Sequence, residues 1–93
     1  MDYDQIIFSG HAIRQMFNRG ITKNDVVECI NNGRIIVDYP DDKPYMSCLI
    51  LGFVGDKPIH VVFAFDKENK TGIVVTAYIP DPQLWTEDFR ARR

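Results

Sequence analysis

The chain has 93 residues, 45% of them hydrophobic and 12% aromatic, enough for one packed core and too few for two domains. Charged residues make up 26% with both signs mixed, which excludes a disordered polyelectrolyte, and the formal net charge of −2 argues against a broadly basic nucleic-acid surface. Met1 to Gln5 shows no basic stretch leading into an apolar run, and no apolar run is long enough to cross a bilayer. A single cytoplasmic domain over residues 1–93, with no membrane association, is therefore expected.

Tyr3 to Phe8 reads as a short edge strand leading into the domain. Ser9 is a helix N-cap, and a helix from Gly10 to Asn18 places Ala12, Ile13, Met16 and Phe17 on one face and His11, Arg14, Gln15 and Asn18 on the other. Gly20 supplies a left-handed exit. Thr22 caps a second helix with Asp25 in the capping-box position, Val26, Val27, Cys29 and Ile30 form its buried side, and Asn31, Asn32 and Gly33 end it. Cys29 and Cys48 lie far apart among apolar neighbours, as suits buried reduced thiols and not a disulfide or a metal clip.

Strand patterns then follow at Arg34 to Tyr39, Met46 to Val54, Ile59 to Phe65 and Ile73 to Ile79. Short turns join them, so they are antiparallel neighbours in a four-stranded meander. Ile59 to Phe65 is the central strand. Ile59, Val61, Phe63 and Phe65 face the helical hairpin, and His60 faces away. On the last strand, Ile73, Val75, Ala77 and Ile79 alternate with Val74, Thr76 and Tyr78. Pro80, Asp81 and Pro82 stop that strand, and Leu84 to Arg93 is expected as a short C-terminal helix with Trp85 and Phe89 on one face. The fold class is thus α+β, a helical hairpin on an antiparallel sheet.

Several motifs stand in a fixed order along this layout: His11-Ala12-Ile13-Arg14, Arg19-Gly20-Ile21, Asp38-Tyr39-Pro40, Leu51-Gly52, Pro58-Ile59-His60-Val61-Val62, and Thr76-Ala77-Tyr78-Ile79-Pro80-Asp81-Pro82 with Trp85 after it. Together they resemble a widespread family of small uncharacterised prokaryotic domains. That family is similar in layout to the RelE/ParE-like toxins, which include the BrnT-like ribonucleases. The resemblance implies a RelE/ParE-like layout and a metal-independent ribonuclease held in check by an antitoxin. Toxins of this kind use basic and aromatic residues of the sheet and the C-terminal segment, which here singles out His60, Tyr78 and the arginines.

Cutting RNA without a metal needs a base for the 2′-hydroxyl, an acid for the leaving oxygen and positive charge on the phosphate. His60 suits proton transfer because its ordinary pKa is near neutrality, and Tyr78 shares its face if the hairpin register is even. Arg14 and Arg19 are the candidate phosphate ligands, with His11 beside them as a substrate-binding residue. The blander reading makes His60 a hydrogen-bonded structural residue and the arginines solvated helix positions. No pair of residues stands at metal-ligand spacing, and neither a metal nor a cofactor is expected. The competing function is a non-catalytic module that binds an antitoxin-like protein or a second copy of itself.

Overall fold

The computed structural model describes residues 3–93. Met1 and Asp2, at the head of the expected domain, lie outside the described residues. Seven elements follow in order: β1 (Gln5–Phe8), α1 (Gly10–Arg19), α2 (Lys23–Asn32), β2 (Arg34–Tyr39), β3 (Ser47–Val54), β4 (Lys57–Asp66) and β5 (Thr71–Tyr78). The sheet has five strands in the order β1-β5-β4-β3-β2, with both helices on one face.

This corrects the four-stranded antiparallel meander with a RelE/ParE-like layout. From β2 to β5 the strands do run antiparallel, as their short turns require, but β1 adds a fifth strand parallel to β5, pairing Gln5 with Thr71 and Phe8 with Val74. A parallel pair needs a long connection. Here the connection is all of the domain between the two strands, and it ends by laying β5 beside the strand that opened the chain.

Local chemistry sets the helices. Ser9 Oγ accepts the Ala12 N–H at 3.0 Å and donates to the Val75 carbonyl at 2.8 Å, so one hydroxyl starts α1 and ties it to β5. Gly20, at a φ of 68°, ends it. Thr22 and Asp25 form a reciprocal capping box with both bonds at 3.0 Å. The expected apolar face of α1 is only half used, since Ala12 and Met16 are buried while Ile13 is 39% and Phe17 85% exposed. The reason is placement: α1 lies on β5, next to the sheet's edge strand, and overhangs the core it helps to close.

Two glycines let α2 approach β3. Gly33 is extended, not left-handed as its place after α2 suggests, and a Cβ there would meet the Cys29 and Leu51 carbonyl oxygens. Gly52 lies directly beneath Cys29, leaving no room for a side chain. The core between the layers holds Ile59, Val61 and Phe63 of β4 with Cys48, Ile50, Val74, Ala77, Met16 and Val26. Phe65, expected among them, is half-buried.

A bulge between Val62 and Phe63 breaks the alternation expected of β5. Phe63 pairs with Val74 and Val62 with Thr76, so Val75 is the extra residue. Val74 and Ala77 therefore both enter the core, while Thr76 and Tyr78 stay on the opposite, outer face with His60.

The expected C-terminal helix is absent. Residues 80–93 instead form a turn and a small hairpin-like cap, with Trp85 bridged to Arg92, the Thr86 N–H donating to the Ala91 carbonyl at 2.9 Å and the Arg93 N–H to the Leu84 carbonyl at 2.9 Å. Side chains divert the backbone from a helix. Thr86 Oγ1 donates to Asp88 Oδ1 at 2.6 Å, and that carboxylate oxygen also accepts the Arg90 N–H at 3.2 Å. Phe89 adopts a φ of 61°, which no right-handed helix allows.

Candidate functional site

The cap lies on the outer face, over β4, and decides the environment of His60. The histidine is 0% exposed, and the Trp85 ring stands edge-on to it with centroids 4.4 Å apart. Nε2 is 2.8 Å from the Phe89 carbonyl oxygen and Nδ1 is 3.2 Å from the Tyr78 hydroxyl. Because a carbonyl can only accept, Nε2 carries the proton in the neutral ring, and Nδ1 is left to accept from Tyr78. Burial holds the His60 pKa below its ordinary 6.5, with the Phe89 carbonyl opposing.

His60 and Tyr78 are directly opposed across β4 and β5, so the register brings them together. Tyr78 is half-buried, and its hydroxyl pKa is raised by burial and by the nearby Tyr39, against the pull of Arg92. It opens onto a groove of about 580 Å³. Leu49, Val62 and Val37 give this groove an aliphatic floor, Tyr39 and Tyr78 supply phenols, and Arg90 and Arg92 from the cap supply charge. Arg92 also stands 5.4 Å over the Trp85 ring. The groove is therefore lined by apolar side chains, two tyrosines and two arginines, of which Arg90 also borders a second cavity beside Asp88.

His11, Arg14 and Arg19 are not brought to this groove. All three are exposed on α1, in the layer that covers the opposite face of the sheet from His60. The residues of the groove that were not among the named candidates His60, Tyr78, Arg14, Arg19 and His11 are Tyr39, Arg90 and Arg92. Tyr39 had a signal, since it closes a strand that a meander places two strands from His60. The arginines had one in the resemblance, which points to basic residues of the C-terminal segment, but reading residues 84–93 as a helix gave them no common direction.

Both cysteines are free and buried, and burial pushes the Cys29 thiol up to about 12, which makes it a poor nucleophile. Among the described residues no three of His, Cys, Asp or Glu stand close enough to hold a metal ion, and no helix is long and apolar enough to cross a membrane.

A family model for a domain of unknown function, DUF4258, matches residues 8–79. The chain belongs to the DUF4258 family. The DUF4258 match includes α1, α2, β2 to β5, His60 and Tyr78, and it ends before the cap that buries His60 and carries Arg90 and Arg92. No curated protein and no solved structure matches this DUF4258 chain.

Proposed function

We propose that this DUF4258 domain is a metal-independent endoribonuclease of toxin type, acting in the groove on the outer face of its sheet and restrained by an antitoxin-like protein. The observation that carries the reading is the Tyr78 hydroxyl, held by His60 and opening onto a groove edged by Arg92 and Arg90. These are the parts that transesterification of RNA requires: a hydroxyl coupled to a base, and fixed positive charge for the phosphate. Tyr39 and the aliphatic floor suit the face of a base, because stacking on an aromatic ring tolerates any sequence. The phosphate ligands change from Arg14 and Arg19 to Arg90 and Arg92, because only the latter share a face with Tyr78.

The test is cleavage of single-stranded RNA by the purified protein in the presence of a chelator, with the 3′ ends of the products identified. Cleavage leaving 2′,3′-cyclic phosphates is expected. Replacing Arg90 and Arg92 with Ala should weaken RNA binding and reduce its log–log salt slope by about 0.7 for each phosphate that is no longer neutralised. Intact RNA after prolonged incubation with wild-type protein would sink the proposal.

A second reading, a protein-binding module, has its own support in Phe17, 85% exposed one turn beyond the exposed Ile13 on α1. If that pair docks onto a second copy, Phe17→Ser should convert a dimer to a monomer in sedimentation. A wild-type monomer at high concentration removes the homodimer from consideration.

A further inference from the structure

We propose that His60 is a buried positioning residue that accepts a proton from substrate only through the Tyr78 hydroxyl, with the Phe89 carbonyl selecting the nitrogen that accepts it. The substrate in this inference rests on the ribonuclease reading; the hydrogen-bonded chain does not.

Three groups are linked in series. The Phe89 carbonyl takes the Nε2 proton at 2.8 Å, which leaves the Nδ1 lone pair directed at the Tyr78 hydroxyl 3.2 Å away. His60 has no exposed surface and touches no solute, while Tyr78 reaches the groove. Any proton that arrives at the imidazole from the groove must therefore pass through the phenol oxygen. The arrangement follows the logic of a hydroxyl, an imidazole and an orienting acceptor, with a backbone oxygen in the last position. That oxygen points inward because the Phe89 N–H donates to the Thr86 carbonyl at 2.8 Å and the residue is left-handed, a conformation that a phenylalanine adopts at a cost.

The step balances without another reagent. The RNA 2′-hydroxyl gives its proton to the Tyr78 oxygen as the Tyr78 proton moves to Nδ1; the 2′-oxygen bonds to phosphorus, the bond from phosphorus to the 5′-oxygen breaks, and that oxygen takes a proton from water. His60 then returns its proton through Tyr78 to water. The imidazolium that forms keeps its Phe89 partner. The groups facing the pair are Leu51 from β3, Trp85 and Phe89 from the cap, and, around the phenol, Tyr39 from β2 and Arg92 from the cap. Arg92 is the one with a fixed charge, and it acts on the phenol, while burial keeps the imidazole neutral. Protonation in advance of the reaction is thus disfavoured at neutral pH.

The experiment pairs a structural readout with a kinetic one. Nitrogen NMR of the imidazole reports the tautomer, and RNA cleavage is followed from pH 5 to 8 in wild type, Tyr78→Phe and His60→Gln. Glutamine can accept from Tyr78 and donate to Phe89, so it preserves both bonds but takes up no proton. The expected result is the Nε2–H tautomer, a rate that falls on the acid side of the profile, and a loss of roughly 100- to 10,000-fold in both variants with melting temperature maintained in His60→Gln. An active His60→Gln with the wild-type pH profile would make His60 a structural residue and overturn the relay. Should wild type cleave no RNA, the ribonuclease reading fails alone, and the tautomer still decides: Nε2–H with a hydrogen-bonded Tyr78 hydroxyl proton supports the chain of three groups, and Nδ1–H overturns it.

Discussion

His60 has no exposed surface, and both its ring nitrogens are engaged by neutral partners. Such a ring is cheap to bury only while uncharged. Its pKa is held below the ordinary 6.5 in the folded chain, whereas the unfolded chain titrates near that value. On acidification the unfolded state therefore takes up the proton first, so the stability that His60 contributes is complete above pH 6.5 and is lost as the pH falls towards its folded value. Thermal melts between pH 8 and 5 should show the melting temperature dropping on the acid side, and His60→Gln should flatten that drop. An unchanged slope in the variant would assign the acid sensitivity to other groups. That His60 faces away from the helices was legible in the alternation of β4, whereas Tyr78 sharing its face hung on a hairpin register that the sequence left open and the pairing of His60 with Tyr78 supplies. The burial of His60 was not, because the covering Trp85 and Phe89 come from a segment whose irregular path depends on Thr86 and Asp88 side-chain bonds.

Among the elements, the cap shows how a correct spacing leads to the wrong structure. Trp85 and Phe89 are four residues apart, as on one helix face, yet a left-handed Phe89 sends its carbonyl to His60 while Trp85 covers the same ring. Trp85 is 7% exposed and is the chain's single tryptophan, so its fluorescence reports the cap alone. Trp85→Ala should cost about 3 to 5 kcal/mol and leave His60 open to modification by diethyl pyrocarbonate, to which it should be inert in wild type. Equal modification rates in the two proteins would mean that the cap does not seal the histidine. A second element-scale prediction concerns α2 on β3. Gly52→Ala would drive a methyl group into Cys29, with an overpacking cost of about 1 to 3 kcal/mol in denaturant unfolding. A neutral effect would show that α2 can lift away freely.

For the molecule as a whole, the two layers were legible because helical capping signals and short turns are local: the capping box at Thr22 and the turn at Gly55 each act within a few residues. The core position of Phe63 came from the same alternation, and the structure places it at 0% exposure. Phe63→Ala should lower stability by about 3 to 5 kcal/mol in a denaturant titration, and a change near zero would contradict a packed centre. A Cβ on Gly72 would fall onto the Phe63 ring, so Gly72→Ala should be damaging as well, by a clash where Phe63→Ala acts by a void. What could not be read was the partner of β1. Its four residues alternate as any edge strand does, and nothing in them selects β5 over β2, the other end of the meander.

That parallel edge has a consequence for how the chain is made. Of the described elements, β1 leaves the ribosome first and β5 last, yet the two are neighbours in the finished sheet. Until β5 is released Ile6 and Phe8 lack the strand they join, and the nascent polypeptide carries an unpaired, partly apolar β segment. The ribosome-bound chain is thereby exposed to capture by chaperones or by β1 segments on neighbouring chains of the same polysome until β5 arrives to close the edge.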